Sequence, residues 1–202
     1  MGRFTVGIFV GCFLLAPLLA DRPSNDDQVL DLVFPRENSL HRDTVFVFWL
    51  RFEPGIDPRA GFNSQIKVAL IRNQPPVVEY ASADRIISIF LGDAFGANPA
   101  AHPNDLARNI SVRRKDLNST SAEVMKWQQS LLRAINDELL AFPDTAGKEY
   151  RTGEATVTLD VPIYDVWYSQ FPTEFHYRGG DSFIKWAEGF RSEITALAKN
   201  AK

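Results

Sequence analysis

Apolar positions along this chain recur with two periods, and the change from one to the other falls near residue 120. Before it, short apolar runs alternate or continue unbroken, as strands do. Val29–Phe34 sets Leu30, Leu32 and Phe34 against Val29, Asp31 and Val33. Thr44–Phe52 is apolar on both faces, which predicts a strand buried between two layers. Ile66–Arg72 and Arg85–Leu91 repeat the pattern, and Ser111–Lys115 is one further candidate strand. Segments 53–61, 73–76 and 92–104, bearing Pro and Gly, read as the loops between them.

After residue 120 the period lengthens. Val124, Trp127, Leu131, Ile135 and Leu139 recur at three- and four-residue intervals, the stripe of an amphipathic helix over about 120–141. Thr120 and Glu123 have the spacing of a capping box, with Asn118, Ser119 and Ser121 as competing caps, and Pro143 and Gly147 follow the end. Glu154–Val161 alternates strictly and predicts a half-buried strand. A second helix is expected over about 182–199, capped by Asp181 and burying Ile184, Ala187, Phe190, Ile194 and Leu197. Strands come first and helices later, without regular alternation. The expectation is therefore an α+β fold: an antiparallel β-sheet or sandwich in the first half, with two amphipathic helices.

Residues 1–20 change the accounting. Arg3, the apolar run Phe4–Leu15, Pro17 and the small residue Ala20 form the pattern of a secretory signal, with Asp21 opening a polar stretch. The run is shorter than the roughly 20 apolar residues that span a bilayer and contains Pro17. Residues 21–202 are then expected as one secreted domain of 182 residues, with Cys12 removed along with the signal. That domain has no cysteine, so it forms no disulfide and offers neither a thiol nucleophile nor a zinc–thiolate site. Without Arg3, 21 basic side chains face 25 acidic ones, a net charge of −4. Near-balanced charge argues against a nucleic-acid partner held by bulk basicity, and no membrane association is expected after signal cleavage. The expected partner is an unknown extracellular ligand or surface.

Few motifs carry chemistry. No nucleophile elbow, zinc-protease helix, phosphate loop or dinucleotide fingerprint occurs, and no cofactor or metal is implied. His41, His102 and His176 all fall in expected loops. Glu174 and His176 form the one compact acid–imidazole pair, and on an extended segment they share a face, where the carboxylate could orient the ring. Around them, residues 164–181 concentrate aromatic and charged side chains. Trp167, Tyr168, Glu174, His176 and Tyr177 are the candidate ligand-binding residues, suited to a sugar or another flat ligand. The competing reading is an aromatic loop that seals the sheet against the last helix. Gly179-Gly180 could expose amides to an anion, but Asp181 would occupy that position. Arg113-Arg114-Lys115, with Arg108 nearby, is a processing site, an anion-facing patch or a solvated strand end. Asn109 and Asn118 lie in N-glycosylation sequons.

Residues 29–50 contain Asp31-Leu32-Val33-Phe34-Pro35-Arg36, then Asn38, then the apolar Val45–Leu50. This opening resembles an uncharacterised family of secreted fungal proteins, whose members carry a signal peptide, a D-L-V-F-P-R-x-N segment and a strongly apolar strand. The resemblance implies a fungal secreted, mostly β domain and supplies no catalytic residues. Members carry cysteines after the signal and this chain does not, so no disulfide follows from it. Together these readings favour a non-enzymatic extracellular binding or interaction protein. The alternative is a small secreted hydrolase or accessory biosynthetic enzyme using Glu174 and His176, assisted by Asp165 or Asp181.

Overall fold

The structure, a computed structural model, describes residues 25–36, 43–55, 58–141, 162–170, 173–178 and 180–201. Among them are five helices, α1 (Asn25–Val33), α2 (Ile87–Ala97), α3 (Pro103–Arg108), α4 (Ser121–Ala141) and α5 (Asp181–Asn200). The strands are β1 (Thr44–Glu53), β2 (Ser64–Ile71), β3 (Val77–Ala83), β4 (Val112–Asp116), β5 (Ile163–Gln170) and β6 (Thr173–Arg178). They form one antiparallel sheet in the order β4-β3-β2-β1-β5-β6. The α+β class is thus observed, as a single sheet rather than a sandwich of two.

β1 lies inside the sheet because its sequence leaves no face for water, and its neighbours are β2 and β5. Its even residues Phe46, Phe48, Leu50 and Phe52 join Ile66, Val68, Val166 and Tyr168 beneath α4 and α5. From those helices come Val124, Trp127, Leu131, Phe183, Ala187, Phe190 and Ile194, spaced at the helical period. The capping box forms as expected: Glu123 N–H donates to Thr120 Oγ1 at 3.3 Å, and Thr120 N–H donates to Glu123 Oε2 at 2.7 Å. Asp181 does not cap α5. Gly180 holds the N-cap at φ 83°, Asp181 lies in the first turn, and the stripe shifts to Phe183 and Ala198 while Leu197 stays exposed.

On the opposite face, α1, α2 and α3 bury Val29, Phe34, Leu91, Leu106 and Ile110 against Ala81 and Ala83 of β3, and α1 also reaches Arg51 of β1. Here the expected strands at 29–34 and 85–91 are corrected to helices. Val29, Leu30, Val33 and Phe34 are the buried set, an i, i+1, i+4, i+5 pattern, while Leu32 is exposed. Ile87 and Leu91 are likewise buried one turn apart. β3 escaped the sequence reading because Val78 and Tyr80 pack on one face while the other mixes Val77, Ala81 and Ala83 with the charged Glu79. The expected strand 154–161 lies outside the described residues, as do residues 1–20.

The basic cluster on β4 binds elements together. Arg114 pairs with Glu79 at 2.7 Å on one face of the sheet. On the other, Lys115 Nζ donates to Ala198 O at 2.7 Å and Ala201 O at 2.9 Å, satisfying carbonyls at the end of α5 where a cation is favoured. No helix among the described residues is long and apolar enough to cross a membrane.

Candidate functional site

Alternation along β1, β5 and β6 decides which side chains meet. On the face away from α4 and α5, one rung across the sheet reads Ala81, Gln65, Arg51, Asp165 and Arg178. The next reads Glu79, Lys67, Trp49, Trp167 and His176, and a third brings Val47 beside Ser169 and Glu174. The expected aromatic loop is therefore the hairpin β5–β6, and its candidate residues part company. Trp167, Glu174 and His176 share the face just described. Tyr168 and Tyr177 point to the other: Tyr168 is buried, accepts from Gln128 Nε2 at 2.7 Å and donates to Gln170 Oε1, and Tyr177 packs edge-on against Phe183. Tyr168 is a core residue, and Tyr177 is partly buried against that core.

Asp165 is the centre of the arrangement. Its side chain is 1% exposed; Oδ1 receives Arg178 Nε at 2.6 Å, Oδ2 receives Arg178 Nη2 at 2.7 Å, and His176 Nε2 lies 2.9 Å from Oδ1. That fork-on-fork contact holds Arg178 in its charged form, pushing its pKa up. Both partners of Asp165 stay about half exposed, His176 at 47% and Arg178 at 51%. A buried carboxylate thus orients two accessible donors. Glu174 does not orient His176: its carboxylate accepts from Ser169 Oγ at 2.8 Å, one rung away.

The His176 ring stacks on Trp167 with centroids 4.6 Å apart and planes 2° from parallel. Arg36 and Arg51 also lie against that indole, at 4.0 and 4.7 Å from its centroid, close enough for cation–π attraction. Arg51, 4% exposed, donates to Asp31 Oδ1 at 2.7 Å and to Phe34 O at 3.3 Å. Arg36 reaches the same Asp31 oxygen at 3.4 Å, and burial lowers its pKa against the opposing pull of Asp31. Asp27, Asp31, Arg36, Arg51, Trp167, His176 and Arg178 line one cleft of about 700 Å³. Glu53, two residues beyond Arg51 on β1, senses the same field. Burial, with the Asp165 charge behind it, pushes its carboxyl up to about 7, and Arg51 and Arg178 offset part of the effect.

No family model matches the chain, and neither a curated protein nor a solved structure matches it. The geometry therefore stands alone as the guide to chemistry. With Nε2–H donated to Asp165, the Nδ1 of His176 is the acceptor left to the cleft. The described residues contain no group of three or more His, Cys, Asp or Glu side chains placed to hold a metal ion. Buried Arg51 Nε and Gln65 Oε1 have no hydrogen-bond partner among the described residues.

Sequence reasoning missed the half of the cleft that comes from α1 and β1. A signal for Arg51 was present: a cation inside the most apolar strand demands a buried or half-buried anion nearby. Asp31 was such an anion, but the strand reading of 29–34 hid its helical neighbours. Among the other candidates, His102 caps α3, its Nδ1 accepting from Asn104 N–H at 3.3 Å. His41 lies outside the described residues. Asn109 and Asn118 are both exposed, Asn109 at the end of α3 and Asn118 just before α4.

Proposed function

We propose that this chain is exported and acts outside the cell as a non-enzymatic binding protein, and that the cleft around Asp165 takes a neutral, hydroxyl-rich ligand such as an oligosaccharide. The observation that carries the ligand class is the balance of charges at the cleft: three guanidinium groups, Arg36, Arg51 and Arg178, are offset by Asp27 and Asp31 on its wall and by the buried Asp165 behind it, which holds Arg178. A net-charged ligand would meet its own sign as often as the opposite one. Hydroxyl groups both donate and accept, so planar carboxylates and guanidiniums satisfy them from either side. Arg51, on the cleft wall, keeps a buried Nε without a partner among the described residues, spare donor capacity behind the site. Export is supported by the n-region, apolar run and small residue of positions 1–20, and by the resemblance of residues 29–50 to secreted fungal proteins.

Titration calorimetry against soluble oligosaccharides tests the ligand. Saturable binding is expected, and Arg178→Ala or Trp167→Ala should weaken it by at least about tenfold, the loss of one charge-assisted hydrogen bond or one stacking partner. Binding of none of them, or binding indifferent to both variants, sinks the reading. Export has a separate test: protein in the medium should begin at Asp21, whereas an intact N-terminus in the membrane pellet contradicts it. Use of the Asn109 and Asn118 sequons should appear as a mobility shift on deglycosylation.

One observation favours a second reading. The His176–Asp165 contact at 2.9 Å has the geometry of an oriented general base. A hydrolase would then work through His176 and Asp165, with Glu174 turned to Ser169 instead. Release of shorter saccharides on prolonged incubation, abolished in His176→Ala, would replace the binding reading with this one.

A further inference from the structure

A second cleft, of about 500 Å³, opens on the opposite face of the sheet, between α5 and the ends of β1 and β5. It backs directly onto the first. Phe52 lines it while Arg51 lines the other, and Tyr164 lines it while Asp165 holds the donors of the other. Along α5, Glu188, Arg191, Ser192, Thr195 and Lys199 fall at three- and four-residue steps and form its polar wall. They lie beside the buried stripe of Ala187, Phe190 and Ile194 that anchors the helix.

Arg191 is fixed here by contacts that leave part of it unused. Its guanidinium carbon sits 3.3 Å from the Phe52 ring centroid, and Nη2 donates to Ala60 O at 3.2 Å. Position 61 is glycine with φ +97°, and a Cβ there would come within 3.2 Å of Nη2, so a larger residue would strain the turn and push the guanidinium back by a few tenths of an ångström. Among the described residues, Arg191 Nε is nevertheless buried without a hydrogen-bond partner, and so is Thr195 Oγ1 one turn along the same wall. Buried polar atoms are seldom left unpaired in a folded protein. Both atoms belong to side chains that line this cleft, so its wall carries hydrogen-bonding capacity that the described residues do not use.

The charges here are not balanced. Among the described residues, Arg191 and Lys199 face the cleft against a single carboxylate, Glu188, with hydroxyls on Tyr164, Ser192 and Thr195. We propose that this cleft is a second ligand site, one for a small molecule that carries a carboxylate or phosphate beside hydroxyl groups. The oxyanion takes the Arg191 guanidinium and Lys199, and the hydroxyls of the ligand meet those of Ser192 and Thr195. This site does not rest on the oligosaccharide reading of the first.

The test is titration of the full chain with inorganic phosphate, with acetate, and with glucose as the neutral control. Saturable binding of at least one anion is expected; phosphate alone assigns a phosphorylated ligand, and acetate a carboxylated one. Lys199→Met and Thr195→Val remove a donor at partly exposed positions without opening the core, and circular dichroism checks that each is folded. Each should weaken anion binding by about tenfold and leave any oligosaccharide binding unchanged. The proposal is overturned if neither anion binds saturably, or if binding survives both variants. It is equally overturned if binding is lost in Trp167→Ala but not in Lys199→Met, since the anion would then occupy the first cleft.

Discussion

Phe48 and Asp165 are buried equally, each at 0% exposure, on opposite faces of the same sheet. Phe48 meets Trp186 at 6.3 Å and Phe190 at 5.8 Å between ring centroids, and the α4–α5 layer excludes water chiefly by apolar volume, with Trp186 Nε1 tied to Ser130 Oγ at 2.8 Å. Asp165 is sealed by Arg178 and His176, each of which keeps half of its own surface in solvent. One face is closed by apolar volume and the other by charged groups that cover one another. The contrast teaches where each face is vulnerable. Lost volume under the helices cannot be replaced, whereas a lost charge in the cleft can be rehydrated through the exposed partners.

Three experiments bear on that contrast. Phe48→Ala should cost most, about 4 kcal/mol in urea unfolding, because the cavity it leaves lies beneath two helices. A cost below about 1 kcal/mol would show that the helix layer collapses onto the sheet and that the faces differ less than their composition suggests.

The second experiment uses pH. Glu53 titrates near 4.5 when unfolded and at about 7 when folded, so the folded state holds its proton more tightly. The stabilisation is present in full below pH 4.5 and is lost as pH rises through 7, a decline on the order of 2–3 kcal/mol from this group. Glu53→Gln should flatten that part of the profile and stabilise the protein at pH 8. The helix-covered face contributes nothing in this range from its buried phenols, since burial pushes both Tyr164 and Tyr168 up. An unchanged profile in Glu53→Gln would place the dependence elsewhere.

Smallest of the three is Asp165→Asn, with an expected loss of about 1–2 kcal/mol, because Arg178 and His176 can turn to water once their acceptor is neutral. A loss as large as that of Phe48→Ala would mean that the charged face is as unforgiving as the packed one.

How much of this was legible before the structure depends on where each partner lies along the chain. α4 was readable to its cap because Thr120, Glu123 and the stripe from Val124 to Ile135 are local. The shared face of Trp167, Glu174 and His176 could be anticipated only in part, since Trp167 and His176 meet through the register of a hairpin. Arg51 could not be joined to Asp165 at all by local spacing, because antiparallel pairing of β1 with β5 brings them together. Short apolar runs caused the remaining errors. Over six residues, 29–34 satisfies a period of two by eye and the helical period in fact.

The pairing of β1 with β5 has a further consequence for how the molecule comes into being. Residues 44–116 contain β1 to β4, whose pairings all join neighbours in sequence, so four strands can assemble from that stretch alone. β5 reaches β1 only by closing loops between Glu53↔Ile163 and Val47↔Ser169, separations of 110 to 122 residues. Until that closure, the most apolar strand of the protein is an open edge, able to pair with any other extended chain. A fragment ending before Ile163 is accordingly expected to scatter light on refolding where the whole chain does not, and a soluble monomeric fragment would contradict this. Because Asp165 arrives with the last hairpin, the first cleft assembles only when the longest loop closes. Binding there would report completed folding, and the hairpin that brings the ligand groups is also the chain's own guard against aggregation.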